Sequence, residues 1–388
     1  MHYIFVAILG LYAAVNVALI IRLYFALRGP GIARPVQLGA CLLAILLSLV
    51  HPLSRMVEGN DLWVKALTFA GTFWLAFVLH VLLAWGLLGI FRLFNHGFGW
   101  LVIAPERRGY WRHVSCVGII GAALVWSVIG AVNTQYPVVR AIELPAPAGV
   151  APLRIVALSD THLGRLAPPG FFARVVDLIE PLHPDIVLFA GDIIEYDFDP
   201  SDVEATAAVL QRLKPRLGIW GVPGNHEYIG NRGELSQRLL KQIGIRLLVD
   251  EGASLPISAA ETPPHLLLIG RNDASAERFS GQPRKAIDEI IASVPGAAAA
   301  QFKIMLDHQP WHLEQAEAAG VDLQISGHTH NGQLFPFNLL IAALYENGYG
   351  HSTRSQTHYW VTSGAGTWGP RVRTTGRAEV LQIDLVGQ

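Results

Sequence analysis

Four long apolar stretches fill the first third of the chain, at residues 3–21, 36–53, 66–91 and 114–132. A helix needs about 20 mostly apolar residues to cross a hydrocarbon core roughly 30 Å thick. The first, third and fourth stretches reach that length, whereas the second is shorter and ends at His51 and Pro52. We therefore expect residues 1–135 to form a multi-pass membrane region with about four transmembrane helices.

The composition agrees with a membrane protein that also has a folded soluble part. Charged residues make up 15% of the 388 residues and the mean hydropathy is +0.37, whereas soluble domains have about 25% charged residues. A disordered, collagen-like or disulfide-stapled chain is excluded. The net charge of −1 favours no attraction to nucleic acid. We expect the lipid bilayer as a partner, and no nucleic acid.

The arginines near the apolar stretches predict an orientation in the cell membrane. The loops after the first and third stretches hold most of them: Arg22, Arg28, Arg34, Arg92, Arg107, Arg108 and Arg112. The opposite side has Arg55, Lys65 and Arg140. Since cytoplasmic loops are enriched in Arg and Lys, the C-terminal domain is expected outside the cytoplasm. The prediction inverts if the second stretch does not span the membrane.

The remainder of the chain has the pattern of an α/β domain. Residues 136–152 are expected to form a first strand and an extended connector, because LPAPAGVAP is rich in proline and alanine. Short apolar runs within residues 153–388 predict strands at 154–159, 186–190, 218–222, 266–270, 302–306, 323–326, 359–362 and 380–385. Helical patterns lie between them at 171–182, 202–213, 232–242, 284–293 and 311–319. Strands that alternate with helices indicate an α/β fold.

Metal-ligating residue types follow five of these strands. They are Asp160, His162, Asp192, Asn225, His308, His328 and His330, with His226 adjacent. In an extended chain residues i and i+2 face the same way, so Asp160 and His162 can point at one centre, as can His328 and His330. In open α/β folds, sites lie beyond the carboxyl ends of the strands. These residues are therefore expected to meet.

The donor types indicate two divalent ions. Imidazole suits Zn, Fe and Mn, and carboxylate and amide oxygens add affinity for Mn. Seven ligands are too many for one ion but suit two ions that share a bridging ligand. Isolated Asp-x-His or Gly-Asp pairs are common in ordinary turns, so the prediction depends on all five segments occurring together at strand ends.

These segments resemble the signature blocks of the calcineurin-like metallophosphoesterases. The blocks are Asp160-x-His162, Gly191-Asp192, Gly224-Asn225-His226-Glu227, His308 and Gly327-His328-Thr329-His330. The continuation Asn331-Gly332-Gln333 resembles the membrane-associated branch with YkuE-type and YaeI-type members. The resemblance implies a four-layer α-β-β-α sandwich with a dinuclear site.

The resemblance also implies a role for each residue. Asp160, His162 and His330 would hold one ion, while Asn225, His308 and His328 would hold the other. Asp192 would bridge both ions, and His226 would donate a proton or stabilise the transition state. A pair of ions lowers the pKa of a bridging water, so a hydroxide could attack the phosphorus of a phosphomonoester or phosphodiester.

Two positions depart from the family pattern. Glu195 stands where many members have Asp, and Asn331 stands where Gly is common. We expect neither to touch a ligand, although both could alter contacts with the substrate.

Other polar residues have simpler interpretations. Glu227 and Asp307 are expected to orient imidazoles, and His312 to lie near the site. Arg271 and Arg373 are interpreted as surface arginines. His80, inside the third apolar stretch, is interpreted as a neutral side chain bonded to a neighbouring helix.

The leading hypothesis is a membrane-anchored metallophosphoesterase whose substrate is lipid-linked or part of the envelope. One alternative is a cytoplasmic-face pyrophosphatase that acts on a nucleotide-linked lipid. Another is a catalytically silent scaffold or transporter.

Overall fold

The computed structural model describes residues 2–28, 32–147, 150, 152–257, 264–281 and 283–387. The chain divides into two compact units. The first is Met1–Ala131 with Gly369–Val372, and the second is Val132–Trp368 with Arg373–Gln388.

The first unit is helical. Its helices are α1 (His2–Leu27), α2 (Arg34–Met56), α3 (Leu62–Phe98) and α4 (Arg108–Gln135), the last of which runs on into the second unit. All four are long and apolar enough to cross a membrane, and they contain the four predicted stretches. Helix α2 continues through Pro52 to Met56, so the second stretch forms a longer helix than its apolar residues alone indicate.

Two pairs of polar side chains link helices inside this unit. His80 Nδ1 lies 2.8 Å from Ser127 Oγ on α4, and Trp74 Nε1 donates to Asn16 Oδ1 on α1. Such bonds matter because an apolar surrounding offers no water as a substitute. The interpretation of His80 as a residue bonded to a neighbouring helix is confirmed.

The second unit contains two six-stranded sheets. The first sheet has the order β1-β12-β2-β3-β4-β5 and the second β10-β11-β9-β8-β7-β6. The strands of the first sheet are β1 (Val138–Pro145), β2 (Leu153–Leu158), β3 (Ile186–Ala190), β4 (Ile219–Val222), β5 (Arg246–Leu247) and β12 (Glu379–Val386). Those of the second are β6 (Glu251–Pro256), β7 (His265–Gly270), β8 (Ala300–Leu306), β9 (Leu323–Ser326), β10 (Gly350–Arg354) and β11 (Thr357–Val361).

Seven helices accompany the sheets in the described part of this unit. They are α5 (Pro169–Ile179), α6 (Val203–Leu210), α7 (Gly233–Ile243), α8 (Ala276–Ser280), α9 (Ile287–Ser293), α10 (Glu314–Ala318) and α11 (Phe337–Leu344).

Successive side chains of each strand face either the other sheet or the outer helices, and this alternation produces a layered domain. Ile155 and Leu188 of the first sheet share a buried core with Ile304 and Ile325 of the second, because successive residues of a strand face opposite sides. The outer face of the first sheet packs on α5 and α7, and that of the second packs on α9 and α10. The predicted four-layer α-β-β-α sandwich is confirmed.

The sequence patterns do not predict several of these elements. Strands β5, β6 and β10 and helices α8 and α11 were not predicted. Of the expected connector, residues 144–145 belong to β1, and residues 148, 149 and 151 lie outside the described residues. Helix α11 differs from the other helices of this unit because it is almost wholly apolar and none of its residues is buried.

Candidate metal centre

The predicted ligands lie in loops that follow parallel strands of both sheets. Strands β2, β3 and β4 run parallel in one sheet, and β8 and β9 run parallel in the other. Their carboxyl ends meet at one edge of the sandwich, where most of these side chains are buried. The structure brings all seven predicted ligands together there, in two adjoining clusters.

The first cluster consists of Asp160, His162 and His330. His330 Nε2 lies 3.3 Å and His162 Nε2 lies 3.7 Å from Asp160 Oδ1. The two Nε2 atoms are 3.1 Å apart. Two ring nitrogens that face each other across a carboxylate match the donor set of a transition-metal ion.

The second cluster consists of Asp192, Asn225, His308 and His328. His308 Nε2 lies 3.1 Å from Asp192 Oδ2 and 3.2 Å from Asn225 Oδ1. His328 Nδ1 lies 2.9 Å from the same amide oxygen. These nitrogen and oxygen atoms face a common point, so a divalent ion fits this donor set as well.

Asp192 lies between the two clusters. Its Oδ2 atom is 3.1 Å from His308 Nε2 and 3.9 Å from His162 Nε2. Its Oδ1 atom accepts a hydrogen bond from the backbone N–H of His226 at 2.8 Å. One carboxylate is thus within reach of both ligand sets.

The hydrogen bonds of two imidazoles orient their rings for ligation. His308 Nδ1 lies 2.8 Å from the carbonyl oxygen of Ala190, and His162 Nδ1 lies 2.7 Å from Glu195 Oε1. Because a carbonyl or carboxylate oxygen accepts, Nδ1 is the donor in both rings. In the neutral tautomer the lone pair of Nε2 then points into the cluster, as a metal requires.

The ligand loops are held in an unusual backbone conformation. Asp160, His162, Asp192, His328 and His330 have φ between 46° and 69°. Non-glycine residues rarely adopt this left-handed region, and strain of this kind concentrates at functional sites. The surrounding fold therefore imposes the positions of these five side chains.

Buried charges shift the ionisation of the site. Burial alone would raise the pKa of the Asp160 and Asp192 carboxyls, but neighbouring histidines hold both pKa values well below the usual range. Burial would lower the pKa of His162, but the neighbouring carboxylates of Asp160 and Glu195 raise it to about 10. Burial lowers the pKa of His330 to about 3. Both carboxylates are thus negative, and a cation must displace the proton of His162 to bind there.

Glu195 contacts two imidazoles, contrary to expectation. Its Oε1 atom lies 2.7 Å from His162 Nδ1 and its Oε2 atom lies 3.0 Å from His226 Nδ1. Although burial opposes ionisation, these histidines lower the pKa of Glu195 to about 2. The prediction that this family departure touches no ligand is wrong. The sequence signal for this role is the position of Glu195 three residues after Asp192.

Glu227 and Asp307 do not orient imidazoles. Glu227 accepts hydrogen bonds from the backbone N–H groups of Asp192, Ile193, Ile194 and Gly224, and it thereby joins two ligand loops. Asp307 pairs with Arg271 and Arg284 instead. Both expectations from the sequence are wrong, because Glu227 pairs with backbone N–H groups and Asp307 with arginines.

Three further expectations also fail. His312 is an exposed residue whose imidazole lies 3.3 Å from Glu314, and it belongs to neither cluster. Arg271 and Arg373 are buried and are not surface arginines. Arg373 donates to the carbonyl oxygens of His330 and Gly366. These bonds hold the backbone of the loop that carries His330.

His226 lies beside the clusters with its ring partly enclosed. The ring centroid is 4.7 Å from that of His162 and 6.2 Å from that of Trp368. Burial lowers its pKa, but Glu195 and Asp192 outweigh burial and raise the pKa above the ordinary value. A protonated imidazole at this place can donate a proton to a bound ester.

Comparisons with known proteins agree with this geometry. The family model of the calcineurin-like phosphoesterases matches residues 153–332. A transmembrane protein with metallophosphoesterase domain from Danio rerio is 33% identical over 284 residues, which cover 71% of this chain and 63% of that protein. The chain thus spans less than two thirds of that relative.

Two bacterial proteins are also similar. An uncharacterized metallophosphoesterase of Campylobacter jejuni is 29% identical over 270 residues, 68% of each chain. The uncharacterized metallophosphoesterase YkuE of Bacillus subtilis is 26% identical over 251 residues, which cover 62% of this chain and 81% of that protein.

Proposed function

Since this membrane protein carries a calcineurin-like phosphoesterase domain, we propose that it is a membrane-anchored, metal-dependent phosphoester hydrolase. The observation that supports this most directly is the position of Asp192, whose Oδ2 atom lies within 4 Å of imidazoles from both clusters. A shared carboxylate is what a pair of divalent ions needs in order to act on one phosphate.

The ligands divide between two ions. Asp160, His162 and His330 would hold one ion, Asn225, His308 and His328 would hold the other, and Asp192 would be common to both. The donor types suit Mn, Fe or Zn. When bound, the ions supply Lewis acidity toward the phosphoryl oxygens and a water nucleophile at neutral pH.

The residues around the ions perform the remaining tasks. His226 donates a proton from its imidazole to the oxygen of the leaving group, and Glu195 holds that imidazole in place through Nδ1. Glu227 fixes the backbone of the Asp192 and Gly224 loops, and Arg373 fixes the His330 loop. The substrate class proposed from these residues is a phosphomonoester or a phosphodiester.

The test is the substitution Asp192→Asn in the full-length protein. We expect it to lose turnover of an aryl phosphodiester in the presence of Mn²⁺, because an amide neither carries the negative charge nor binds two cations. The matched control is Asp177→Asn at an exposed position of α5, which should retain full activity. Wild-type turnover by Asp192→Asn would refute the proposed site.

The excess of arginine in the loops after α1 and α3 supports an extracytoplasmic catalytic domain. Gln242, at the exposed end of α7, provides a site for a topology test. We expect Gln242→Cys to react with a membrane-impermeant maleimide in intact cells. Reaction only after lysis would contradict this orientation and would favour the alternative of a cytoplasmic-face lipid pyrophosphatase.

A further inference from the structure

Helix α11 presents an apolar surface that the fold leaves uncovered. Seven of its eight residues are apolar and none is buried. Leu339, Leu340 and Leu344 are 60%, 52% and 57% exposed. Residues 334–345 include no charged side chain. A helix with these properties contributes little to the core of its own domain, and contiguous exposed apolar surface of this kind marks an interaction site.

This surface adjoins the metal centre. A short helical turn, His330–Gly332, carries the last ligand, and α11 begins five residues later. The Gln333 side chain links this segment to Trp368 in both directions, because its Nε2 donates to the Trp368 carbonyl oxygen and its Oε1 accepts from the Trp368 N–H. The exposed Trp368 ring in turn lies beside His226. Phe335, Phe337, Leu339, Leu340, Leu344 and Trp368 together are called the rim patch below.

We propose that the rim patch inserts into the interfacial layer of the lipid bilayer, and that the substrate is a lipid phosphate ester drawn from that layer. This inference rests on the proposed function, because it assigns a substrate class to the same site. Aromatic and leucine side chains of this kind favour the boundary between headgroups and acyl chains.

The distribution of the exposed residues favours lipid over a protein partner. Successive residues of a helix are separated by about 100°, so Leu339 projects from the opposite side of α11 from Phe337 and Leu344. A flat protein surface would cover only one of these two sides, whereas acyl chains and headgroups can contact both.

A short link joins the domain to an apolar helix. Two residues, Tyr136 and Pro137, separate the apolar helix α4 from β1, so the domain is covalently tethered close to a membrane. The absence of charge in residues 334–345 predicts that the docking is insensitive to salt, unlike binding through basic residues.

Fluorescence quenching tests the docking without any need for turnover. Full-length Leu340→Cys and the control Gln242→Cys are labelled with an environment-sensitive fluorophore and reconstituted into phosphatidylcholine vesicles. Cys41 and Cys116 are buried, so the wild-type chain serves as the labelling blank. We expect a blue shift and quenching by spin-labelled phosphatidylcholine at position 340 and neither at position 242. Equal behaviour at the two positions, or a shift that requires contact with a second copy of the chain, would overturn the proposal.

Turnover tests the substrate class. Leu340→Asp combined with Leu344→Asp should lower kcat/KM toward phosphatidic acid or phosphatidylglycerol in vesicles by about tenfold or more, given the weight of a buried leucine. Turnover of a soluble aryl phosphodiester should not change. The control, Ala298→Asp combined with Ala299→Asp, adds the same charge to an exposed turn before β8 and should affect neither substrate.

The outcomes separate this inference from the proposed function. Equal loss of both activities, or loss of neither, would overturn the substrate assignment. If the wild type hydrolyses no ester at all, the proposed function fails together with the substrate class, and the quenching experiment alone then decides whether the rim patch docks on lipid.

Discussion

A single carboxylate, Glu195, determines the protonation of two functional imidazoles. Each of its oxygens accepts a hydrogen bond, one from His162 and one from His226. The first imidazole is a proposed ligand and the second is the proposed proton donor. Glu195 thus positions both groups without a place in either ligand set.

Glu195→Gln should reduce activity by roughly 10–100-fold, the usual effect of losing a partner of a metal-ligating histidine. A glutamine accepts from one imidazole only, and its NH₂ group forces the other ring to place its proton on Nε2. The measurement is turnover together with bound metal, and Glu195→Asp should recover part of both. Glu289→Gln, at an exposed position of α9, is the control. Unchanged metal content and turnover in Glu195→Gln would contradict the positioning role.

The convergence of the seven candidate ligands could be predicted from the sequence, but their supporting contacts could not. Asp160, Asp192 and His308 stand at strand ends in recognisable short motifs. Glu227 and Arg373 are recognisable only from distances in space, because the residue types that accept backbone N–H groups or fill a buried pocket also occur throughout protein surfaces. The position of Glu195 three residues after Asp192 does not by itself reveal its two imidazole partners.

At the level of elements, the turn after β4 depends on close approach between two loops. A Cβ atom on Gly224 would overlap the backbone and carboxylate of Asp192. The Glu227 carboxylate binds the N–H groups of both loops, so neither loop can move away alone. The glycine is thus required for the position of the shared carboxylate.

Gly224→Ala should cost about 1–3 kcal/mol of stability, as overpacking typically does, and should also abolish metal-dependent turnover. Thermal unfolding and an activity assay measure the two effects. Gly170→Ala is the control, because a Cβ there meets no atom within 4 Å. Retention of full activity by Gly224→Ala would show that the Asp192 loop can relax.

The elements with strong apolar patterns were predictable, whereas the short or atypical ones were not. Strands β2, β3, β8 and β9 are continuous apolar runs in a buried sheet. Helix α11 is almost wholly apolar although none of its residues is buried, and β5 has only two residues. Pairing across the sheet defines such elements, and local sequence does not reveal it.

At the level of the whole molecule, metal binding and stability are coupled. The site buries Asp160 and Asp192 as carboxylates, and cations that bind only the folded state stabilise it.

Removal of metal with EDTA should abolish turnover and lower the Tm, and Mn²⁺ should restore both. At a free metal concentration 100-fold above Kd, each bound ion contributes about 2.7 kcal/mol of stabilisation. Calorimetry and elemental analysis provide the measurements, with two ions per chain as the expected content. A protein that purifies without metal and shows no response to Mn²⁺ would instead indicate a silent scaffold.

The position of β12 in the first sheet has a consequence for biosynthesis. This strand is the last of the domain in chain order, yet it pairs with both β1 and β2 near the beginning of the domain. The interior of that sheet therefore stays open until translation has passed residue 386, long after the apolar helices have left the ribosome. Until then the edge of β2 that pairs with β12 stays unpaired, and an unpaired strand edge favours mispairing and aggregation.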